Sequence, residues 1–432
     1  MQFKRICVLG LGYIGLPTAS TFATHGLEVI GVDVNQRVLD TLRNGGLHIQ
    51  EPGLRTLVKA AIGSGNLSIN QAPESADAFI ITVPTPFLRD KRADLSYVVA
   101  AAEAILPHLK PGNLVVLEST SPPRTTVDVI APILERNGLK AGVDFHLAYS
   151  PERVLPGQIL RELIENARVI GGINNASAEA GRDLYSIFVK GEFILTDATT
   201  AEMVKLMENT YRDVNIAIAN EFSRLADRFS IDVWEAIAIA NHHPRVDILR
   251  PGPGVGGHCI GVDPWFLVEA AQDITRLIRA ARDVNDSQPA FVVDLIRRAL
   301  DLDPKDSLCG RNIAILGLAY KPDVDDLRES PAVEVVSRLS DLGAKIAAFE
   351  PFKEGIRIAG AECYAELKPA IKDVDLIALL VAHTPLLRLD PFQIIQQTSA
   401  RLVVDCVNGW DAGSWREAGF KFYRLGAPAI SI

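Results

Sequence analysis

Near the N-terminus, a glycine loop and a single acid have the types and spacing needed to bind a dinucleotide. Residues 10–15 read GLGYIG, which matches G-x-G-x-x-G between an apolar run and a helical pattern. The first glycine permits a tight turn, the second lets a pyrophosphate approach the backbone, and the third lets helix and strand pack closely. Asp33 ends the next apolar run and favours NAD over NADP, although Arg37 weakens that preference. The pattern predicts an NAD site; the alternative is a glycine-rich turn without a ligand.

A second group lies on a long predicted helix. Lys205, Asn209 and Arg212 are spaced i, i+4 and i+7, so their side chains project from one face. Their neighbours are apolar, so we expect a helix buried over much of its circumference, with a lysine that needs an anion. The alternative is a solvated polar stripe. The apolar neighbours are Met203, Val204, Leu206, Met207, Ile216 and Ile218.

The third group is a cysteine that follows a glycine-rich loop. Residues 252–259 read GPGVGGHC, and Asp263 lies four residues after Cys259 at an expected helix N-cap. A thiol just before a helix N-terminus is well placed to act as a nucleophile, and Asp263 is placed to orient a water. The glycines indicate that the backbone passes close to a ligand. The alternative is a buried, inert cysteine.

Three further segments follow predicted strands, at the end of an α/β sheet where ligands bind. ESTSP at 118–122 contains Thr120, which either bonds a ligand or caps the next helix. SPER at 150–153 ends another strand. The charged loop 321–329 is suited to clamp a phosphate-bearing ligand, or is a solvated loop.

Apolar and helical runs alternate in both ends of the chain, which predicts the elements that position these residues. Strands are expected at 5–10, 28–34, 78–83, 114–119 and 168–171, all buried and parallel, and at 312–316, 345–349, 376–381 and 402–407. Helices are expected at 14–26, 95–109, 199–230, 232–241, 263–285 and 329–342. Thr199 to Glu202 reads as a capping box for the long helix. The predicted fold class is α/β, with two Rossmann-like doubly wound domains (1–198 and 301–432) joined by a central all-α region (199–300).

Composition excludes several classes of protein. The chain has 432 residues, of which 48% are hydrophobic and 22% charged, so it is globular rather than disordered. A net charge of −9 argues against nucleic-acid binding. Five cysteines without a C-x-x-C pair predict neither disulfides nor a metal site, as in a reducing cytosol. Glycines interrupt the apolar stretch 6–23, which argues against a signal peptide, and no run reaches the roughly 20 apolar residues of a membrane span. We therefore expect a cytoplasmic protein with no membrane partner.

Seven segments in order resemble the UDP-sugar 6-dehydrogenases of the UDP-glucose/GDP-mannose dehydrogenase family. They are GLGYIGLPTA at 10–19, VPTP at 83–86, ESTSP at 118–122, SPERVLPG at 150–157, AEMVKLMEN at 201–209, GPGVGGHCIGVDPWF at 252–266 and GLAYKPDVDDLRESP at 317–331. Two of these segments, SPERVLPG and the one containing PGVGGHCI and DPWF, are together with NHHPRV at 241–246 most similar to the branch that acts on UDP-N-acetylmannosamine. The resemblance leaves UDP-N-acetylglucosamine and UDP-glucose open as substrates.

The resemblance implies a four-electron oxidation that uses NAD twice. The sugar C6 alcohol becomes an aldehyde, which Cys259 captures as a thiohemiacetal; a second oxidation gives a thioester, and water hydrolyses it to a carboxylate. Lys205 is implied as acid/base or charge stabiliser at the C6 oxygen, supported by Asn209 and Asp263. Thr120 and Glu152 are implied in the oxidation and in handling the hydrolytic water.

The family motifs also imply binding residues and an assembly. Cofactor contacts would be Gly10, Gly12, Tyr13, Ile14, Gly15, Asp33, Arg37, Thr85, Thr120 and Arg328. Substrate contacts would be Arg153, Val154, Lys205, Asn209, Arg212, His243, Arg245, Gly256, Tyr320 and Lys321. The lysines and arginines suit a diphosphate. A homodimer formed through the long helix is expected, with a uronic-acid nucleotide for surface polysaccharide as product.

Two positions depart from the UDP-glucose branch. Pro156 stands where that branch has a second glutamate, four residues after the one matching Glu152, which makes UDP-glucose less favoured. His258 stands where an aromatic residue usually precedes the cysteine. If protonated, His258 would raise the thiolate content of Cys259; otherwise it bonds the backbone.

Two other functions compete with this interpretation. A single-step dehydrogenase of the hydroxyacid or 6-phosphogluconate type would share the N-terminal domain and a helix lysine, but it needs neither Cys259 nor residues 311–432. A redox-sensing NAD-binding module would keep Asp33 and the glycine loop without using Lys205, Cys259 and Lys321 together.

Overall fold

The computed structural model describes residues 2–88, 90–155, 157–303 and 305–428. Pro156 lies outside the described residues. Contacts divide the chain into two compact units: unit 1 comprises Met1–Glu208 and Trp265–Gln272, and unit 2 comprises Asn209–Pro264 and Asp273–Ile432. The three-domain division drawn from the sequence stays a prediction.

Unit 1 contains an eight-stranded sheet in the order β3-β2-β1-β4-β5-β6-β7-β8. Its strands are β1 (Arg5–Leu9), β2 (Glu28–Val32), β3 (Leu67–Asn70), β4 (Ala78–Ile81), β5 (Leu114–Leu117), β6 (His146–Tyr149), β7 (Arg168–Gly172) and β8 (Phe193–Asp197). Its helices include α1 (Gly15–Thr24), α2 (Gln36–Arg43), α3 (Leu54–Gly63), α4 (Ser96–Ile105), α5 (Ala131–Leu134), α6 (Ile159–Glu165) and α7 (Asn175–Tyr185). Short 3₁₀ turns cover Leu106–His108 and Glu135–Asn137, and a π-helix covers Thr125–Ile130.

The central strands of this sheet are buried on both faces, which explains their unbroken apolar runs. On β1, Ile6 and Val8 pack into one core cluster, and Cys7 and Leu9 pack into another. All strand pairs are parallel except β6 with β7, which pair antiparallel. The prediction that 168–171 is a parallel strand is therefore wrong at its β6 side, because an apolar run does not encode direction; the connection between strands sets it.

The middle of the chain is helical. Its helices are α8 (Ala198–Phe229), α9 (Val233–Ala240), α10 (Asp263–Ala270) and α11 (Arg276–Ala299). The helix predicted over 263–285 is two helices, and the second continues to Ala299. No glycine or proline marks the break near residue 272, where the chain passes from unit 1 to unit 2.

The predicted capping box of the long helix is wrong. Asp197 caps α8 instead: its carboxylate accepts the Thr200 backbone N–H at 2.9 Å and the Thr200 hydroxyl at 2.5 Å. Glu202 is fully buried and turns away from the helix start. It accepts the backbone N–H groups of Arg124 and Thr126 at 2.5 and 2.7 Å, at the start of the π-helix. A distant partner therefore outcompetes the local cap.

Unit 2 contains a six-stranded parallel sheet in the order β11-β10-β9-β12-β13-β14. The strands are β9 (Asn312–Leu316), β10 (Lys345–Phe349), β11 (Ala361–Tyr364), β12 (Leu376–Leu379), β13 (Leu402–Asp405) and β14 (Lys421–Arg424). The remaining helices are α12 (Pro331–Asp341), α13 (Leu367–Ile371), α14 (Thr384–Leu387), α15 (Pro391–Ile394) and α16 (Ala412–Glu417).

In both sheets the first strand in the chain is central, and later strands lie on either side of it. This is the doubly wound order, in which ligands bind in the crevice at the strand ends where the order reverses. In unit 1 the crevice lies between β1 and β4, and in unit 2 between β9 and β12. The predicted fold class, two Rossmann-like domains with a central helical region, is confirmed. Among the described helices, none combines the length and the apolar character needed to cross a bilayer.

Candidate active site

The loop after β1 has the backbone that a dinucleotide site requires. Gly10 has a φ of +97°, and a Cβ there would lie 2.7 Å from the Thr82 carbonyl oxygen. A Cβ on Gly15 would lie only 1.8 Å from the Gly10 carbonyl oxygen. A Cβ on Gly12, by contrast, would meet no atom within 4 Å. The two outer glycines are thus fixed by packing, and the middle one faces open space that a pyrophosphate can occupy.

Asp33 lies beside this loop and is anchored to it. One carboxylate oxygen accepts the Leu11 backbone N–H at 3.0 Å, and the other accepts the Asn35 N–H at 2.8 Å. Each oxygen retains a lone pair for a ribose hydroxyl. Arg37 is exposed on α2. The glycine loop and Asp33 therefore fit NAD. Half-buried predicted contacts are Tyr13, Ile14 and Thr85.

Thr82 and His48, which were not predicted from the sequence, shape this loop. The Thr82 hydroxyl donates to the carbonyls of Leu9 and Gly10 at 2.9 and 2.8 Å. The His48 Nε2 lies 2.9 Å from the Leu11 carbonyl oxygen, and burial lowers the pKa of His48. Both contacts join segments far apart in the chain, so no local motif marks them.

At the ends of β5 and β6, two glutamates share one buried arginine. Arg168 on β7 donates from Nη1 to Glu152 at 3.3 Å and from Nη2 to Glu118. Burial, more than the repulsion of Glu152, raises the pKa of Glu118 to about 7. Thr120 is half-buried two residues beyond Glu118. The sequence placed Glu152 and Thr120 in the site but missed Arg168 and Glu118.

Arg153, a predicted substrate contact, is already paired. Its guanidinium contacts the Glu208 carboxylate twice, Nη2 at 2.7 Å and Nε at 3.1 Å. The neighbouring Val154 is half-buried and packs against the core of unit 1. A substrate phosphate would therefore have to share Arg153 with Glu208.

Helix α8 carries the predicted polar face, but its burial differs from the expectation. Lys205 and Asn209 are half-buried, and Arg212 is exposed. The expectation of burial by apolar neighbours is wrong at several positions, since Met207 is 55% exposed and Ile218 is 41% exposed. Polar side chains occupy the inner face instead, because they find partners there. These fully buried side chains are Glu202, Asp213, Asn220 and Ser223.

Asn209, Asp263 and Cys259 come together in unit 2. The Asn209 amide donates to the Asp263 carboxylate, and Asp263 is the first residue of α10 and only 2% exposed. The Cys259 carbonyl accepts the Val262 and Asp263 backbone N–H groups at 2.9 and 2.8 Å. This turn sets a half-buried Cys259 four residues before α10, as the sequence predicts, but Asp263 begins the helix instead of capping it.

The glycines before Cys259 are needed for packing of the chain against itself. A Cβ on Gly256 would lie 2.0 Å from the Glu329 carbonyl oxygen. Gly257 has a φ of +83°, and its Cβ would lie 2.7 Å from the Tyr320 ring. The prediction that a ligand approaches the backbone at these glycines is therefore wrong at Gly256 and Gly257. The loop that contains Tyr320 and Glu329 approaches the backbone there instead.

His258 joins a charged group next to the thiol. Its Nδ1 lies 3.6 Å from the Asp326 carboxylate and 3.1 Å from Arg328 Nη2, and Arg328 pairs with Asp326 at 2.6 Å. Burial opposes charge on the imidazole, but hydrogen bonds to Asp326 and Cys259 outweigh it and raise the pKa of His258 to about 9. This raised pKa favours the charged form of the imidazole. Arg328, a predicted cofactor contact, lies in this group.

The loop that contains Tyr320 and Lys321 is fixed by hydrogen bonds to two buried residues, His383 and Glu350. The Lys321 Nζ lies 5.7 Å from the Tyr320 ring centroid. His383 Nδ1 accepts the Asp323 N–H at 2.9 Å, and its Nε2 lies 3.0 Å from the Glu350 carboxylate, which accepts the Leu318 N–H. No motif marks His383 or Glu350, since their partners are distant in the chain.

Two predicted substrate contacts lie outside these groups. His243 and Arg245 are exposed on the irregular segment after α9. The Arg245 backbone N–H donates to His243 Nδ1 at 3.3 Å. Across the parts of the chain that the structure describes, no three His, Cys, Asp or Glu side chains form a group that could hold a metal ion.

Comparison with known proteins agrees with this arrangement. Three domain models of the UDP-glucose/GDP-mannose dehydrogenase family match the chain: the NAD binding domain at residues 4–189, the central domain at 199–287 and the UDP binding domain at 314–412.

Individual relatives match along nearly the whole chain. The UDP-N-acetyl-D-mannosamine dehydrogenase of Methanococcus maripaludis is 48% identical, over 99% of this chain and 98% of that protein. The NDP-N-acetyl-D-galactosaminuronic acid dehydrogenase of Ralstonia solanacearum is 47% identical, over 95% and 97%. The solved structure of the UDP-D-ManNAc dehydrogenase of Pyrococcus horikoshii is 39% identical, has a TM-score of 0.90 and is matched over 99% of this chain and 100% of that one.

Proposed function

The chain belongs to the UDP-glucose/GDP-mannose dehydrogenase family, and we propose that it oxidises C6 of UDP-N-acetyl-D-mannosamine to a carboxylate. The predicted family, the predicted cofactor NAD and the predicted enzyme class, an NAD-dependent UDP-sugar dehydrogenase, are confirmed. The observation that carries the mechanism is Cys259 on the turn before a buried Asp263 that accepts from Asn209. A simple alcohol dehydrogenase needs no such thiol.

NAD supplies a hydride acceptor when bound at the glycine loop beside Asp33. Lys205 acts at the C6 oxygen, where it takes the hydroxyl proton or stabilises the developing negative charge. Asn209 and Asp263 support it: the Asn209 amide donates to the Asp263 carboxylate, which is almost fully buried. The polar face predicted on α8 thereby acquires its chemical role.

Cys259 provides covalent capture. The thiolate adds to the aldehyde carbon, and loss of a second hydride from the resulting thiohemiacetal gives a thioester. Water then adds to the thioester carbon, the C–S bond breaks, and the acid leaves. Glu152 takes the proton of that water, with Thr120 assisting.

The remaining predicted residues are assigned to binding. We assign the UDP-sugar to Arg153, Val154, Lys205, Asn209, Arg212, His243, Arg245, Gly256, Tyr320 and Lys321. We assign the cofactor to Gly10, Gly12, Tyr13, Ile14, Gly15, Asp33, Arg37, Thr85, Thr120 and Arg328. The cations among them suit two diphosphates, since guanidinium and ammonium groups are the usual partners of phosphate.

Helix α8 supports a homodimer. Within unit 2 it exposes large apolar side chains at spacings of seven, four, three and four residues, which places them on one stripe. They are Tyr211, Ile218, Phe222, Leu225 and Phe229, with Tyr211 74% and Phe229 67% exposed. A second copy of the same stripe is a self-complementary partner, as a two-fold axis requires.

The cellular setting follows from the chemistry. All five cysteines are free thiols, which suits the cytoplasm, where NAD-dependent oxidation takes place. A nucleotide-linked uronic acid is an activated donor, so we propose that the product is used for surface polysaccharide.

The substrate is tested by supplying four nucleotide sugars separately and comparing kcat/KM. The manno epimer should be preferred over UDP-N-acetylglucosamine, UDP-N-acetylgalactosamine and UDP-glucose by at least about tenfold. The galacto sugar is included because of the Ralstonia relative. A preference for another epimer would overturn the proposed substrate but leave the mechanism intact.

A further inference from the structure

Unit 1 contains a buried charge cluster that the catalytic roles above leave unexplained. The side chain of Arg168 is 6% exposed, and the side chains of Glu118 and Glu152 are 1% and 10% exposed. One cation thus serves two carboxylates in a place with little water. Because a buried charge is costly unless it is paired, this arrangement has to hold together as a unit.

The guanidinium of Arg168 is held on every side. Its Nε donates to the Ser150 hydroxyl at 3.0 Å, Nη1 donates to Glu152 at 3.3 Å, and Nη2 donates to Glu118. Its Cζ lies 3.8 Å from the centroid of the Tyr185 ring, a cation–π contact. The Tyr185 hydroxyl in turn donates to Glu118 at 2.5 Å. A planar guanidinium fixed in this way has one orientation.

That orientation determines where the Glu152 carboxylate points. Glu152 Oε1 accepts the backbone N–H groups of Arg153 and Val154 at 2.7 and 3.1 Å. Glu152 Oε2 is held by Arg168. Without Arg168 the carboxylate would stay attached through Oε1, but Oε2 would be free to turn. Arg168 therefore supplies the second point that fixes the plane of the group.

We propose that Arg168 is a positioning residue for thioester hydrolysis, because it orients Glu152 to accept the proton of the attacking water. The step forms a C–O bond, breaks the C–S bond to Cys259, and passes the water proton to Glu152; nothing is oxidised or reduced. Glu118 and Tyr185 hold Arg168 in place. The inference rests on the proposed role of Glu152 as the base.

Arg168 also supplies the positive charge of this cluster. Without Arg168, two carboxylates would lie together with no cation, and one of them would take up a proton. Burial, more than repulsion by Glu152, raises the pKa of Glu118. Glu118 Oε2 is buried and has no hydrogen-bond partner among the described residues.

The test removes one charge of each sign, so that the core keeps its balance. In the double variant Arg168→Met/Glu118→Leu, apolar groups replace a buried ion pair, a change that is often close to neutral for stability. The matched control is Arg297→Met, which removes an equally buried guanidinium in unit 2 whose partners are the carbonyls of Asp303 and Asp306. A third variant, Glu152→Gln, tests the base itself.

The readout is the mass of the intact enzyme, quenched during turnover with UDP-sugar and NAD, together with kcat and KM. The double variant should accumulate the acyl adduct on Cys259, with kcat reduced about 100-fold and KM nearly unchanged. Arg297→Met should show no adduct beyond the wild-type level.

The outcomes separate the two levels of the argument. If Glu152→Gln accumulates adduct and the double variant does not, the role of Arg168 is refuted while that of Glu152 stands. If the double variant fails to form NADH in the first turnover, its defect precedes hydrolysis and the proposal is overturned. If Glu152→Gln hydrolyses the thioester at the wild-type rate, the proposed base is wrong, and the positioning role falls with it.

Discussion

Two alanine substitutions in the glycine loop should have opposite effects on folding and cofactor binding. The loop contains one glycine whose Cβ position is open and one whose Cβ position is filled, at Gly12 and Gly15. Alanine at both positions would be expected to impair an NAD site, but for different reasons. Comparing the two variants therefore distinguishes a glycine that leaves room for a ligand, Gly12, from a glycine that the packing of the chain requires, Gly15.

Gly12→Ala should fold normally and lose NAD affinity. The new Cβ meets no atom within 4 Å, so the folded chain gains no clash, and loss of glycine entropy could stabilise it by up to about 1 kcal/mol. Where the pyrophosphate approaches, one extra methyl group costs about 1–3 kcal/mol. This corresponds to a Kd for NAD weakened roughly 5- to 150-fold.

Gly15→Ala should lose stability before any cofactor is added. Its Cβ would lie 1.8 Å from the Gly10 carbonyl and 2.4 Å from the Thr82 hydroxyl, so strand and helix must separate. Overpacking of this kind costs about 1–3 kcal/mol, which lowers Tm by several degrees.

Thermal unfolding with and without NAD, and calorimetric titration of NAD, measure both effects. Gly63→Ala, at the end of α3, controls for the loss of glycine itself, because its Cβ likewise meets no atom within 4 Å and its φ is not left-handed. If Gly12→Ala binds NAD as tightly as wild type, the open space is not the phosphate site. If Gly15→Ala keeps the wild-type Tm, the packing argument is wrong.

Two further predictions concern charge and assembly. The folded pKa of His258 is raised, so its contribution to stability is complete below the unfolded value of 6.5 and lost as pH rises through about 9. Because the side chain is 40% exposed, water screens this charge and its effect is small. We expect the free energies of unfolding of wild type and His258→Gln to differ by only about 1 kcal/mol near pH 6 and to converge near pH 10. A difference that stays constant with pH would refute the assignment of a raised pKa to His258. The double variant Tyr211→Asp/Phe229→Asp should elute with the mass of one chain in light-scattering chromatography, whereas wild type should give twice that mass; a dimeric variant would exclude this stripe as the interface.

The parts of the fold that could be predicted are those with a local cause. Strands such as Asn312–Leu316 and Lys345–Phe349 match the structure residue for residue, because in each one polar residue is followed by an apolar run of the kind that a parallel sheet buries. The glycine loop could be predicted equally well, since Gly10 and Gly15 are required by contacts of the turn with its neighbouring backbone. Strand direction at 168–171 and the break between α10 and α11 depend on the surrounding packing and leave no local trace.

The same division applies to the site. Cys259 and Asp263 are four residues apart, and Lys205 and Asn209 share a helix face, so their spacing was informative. Arg168 contacts Glu118 across 50 residues, and no pattern of residue types predicts that pairing. His383, which holds the Lys321 loop, is hidden in the same way.

The apolar residues of α8 were predicted to be buried, and several are exposed. The apolar residues of α8 were read as evidence of a buried helix. A helix that is apolar on its outer face and polar on its inner face has the same composition, so composition alone cannot distinguish the two. Asp213 and Asn220 face inward, where Arg282 and Asn285 on α11 form hydrogen bonds with them.

The central claim is a four-electron oxidation through Cys259, and the most direct test is NADH formed per sugar consumed, measured together with the acid product. Wild type should give two NADH and one carboxylate per sugar, and Cys259→Ser should form no carboxylate. One NADH per sugar from wild type, or acid formation by Cys259→Ser at a near-normal rate, would contradict the account.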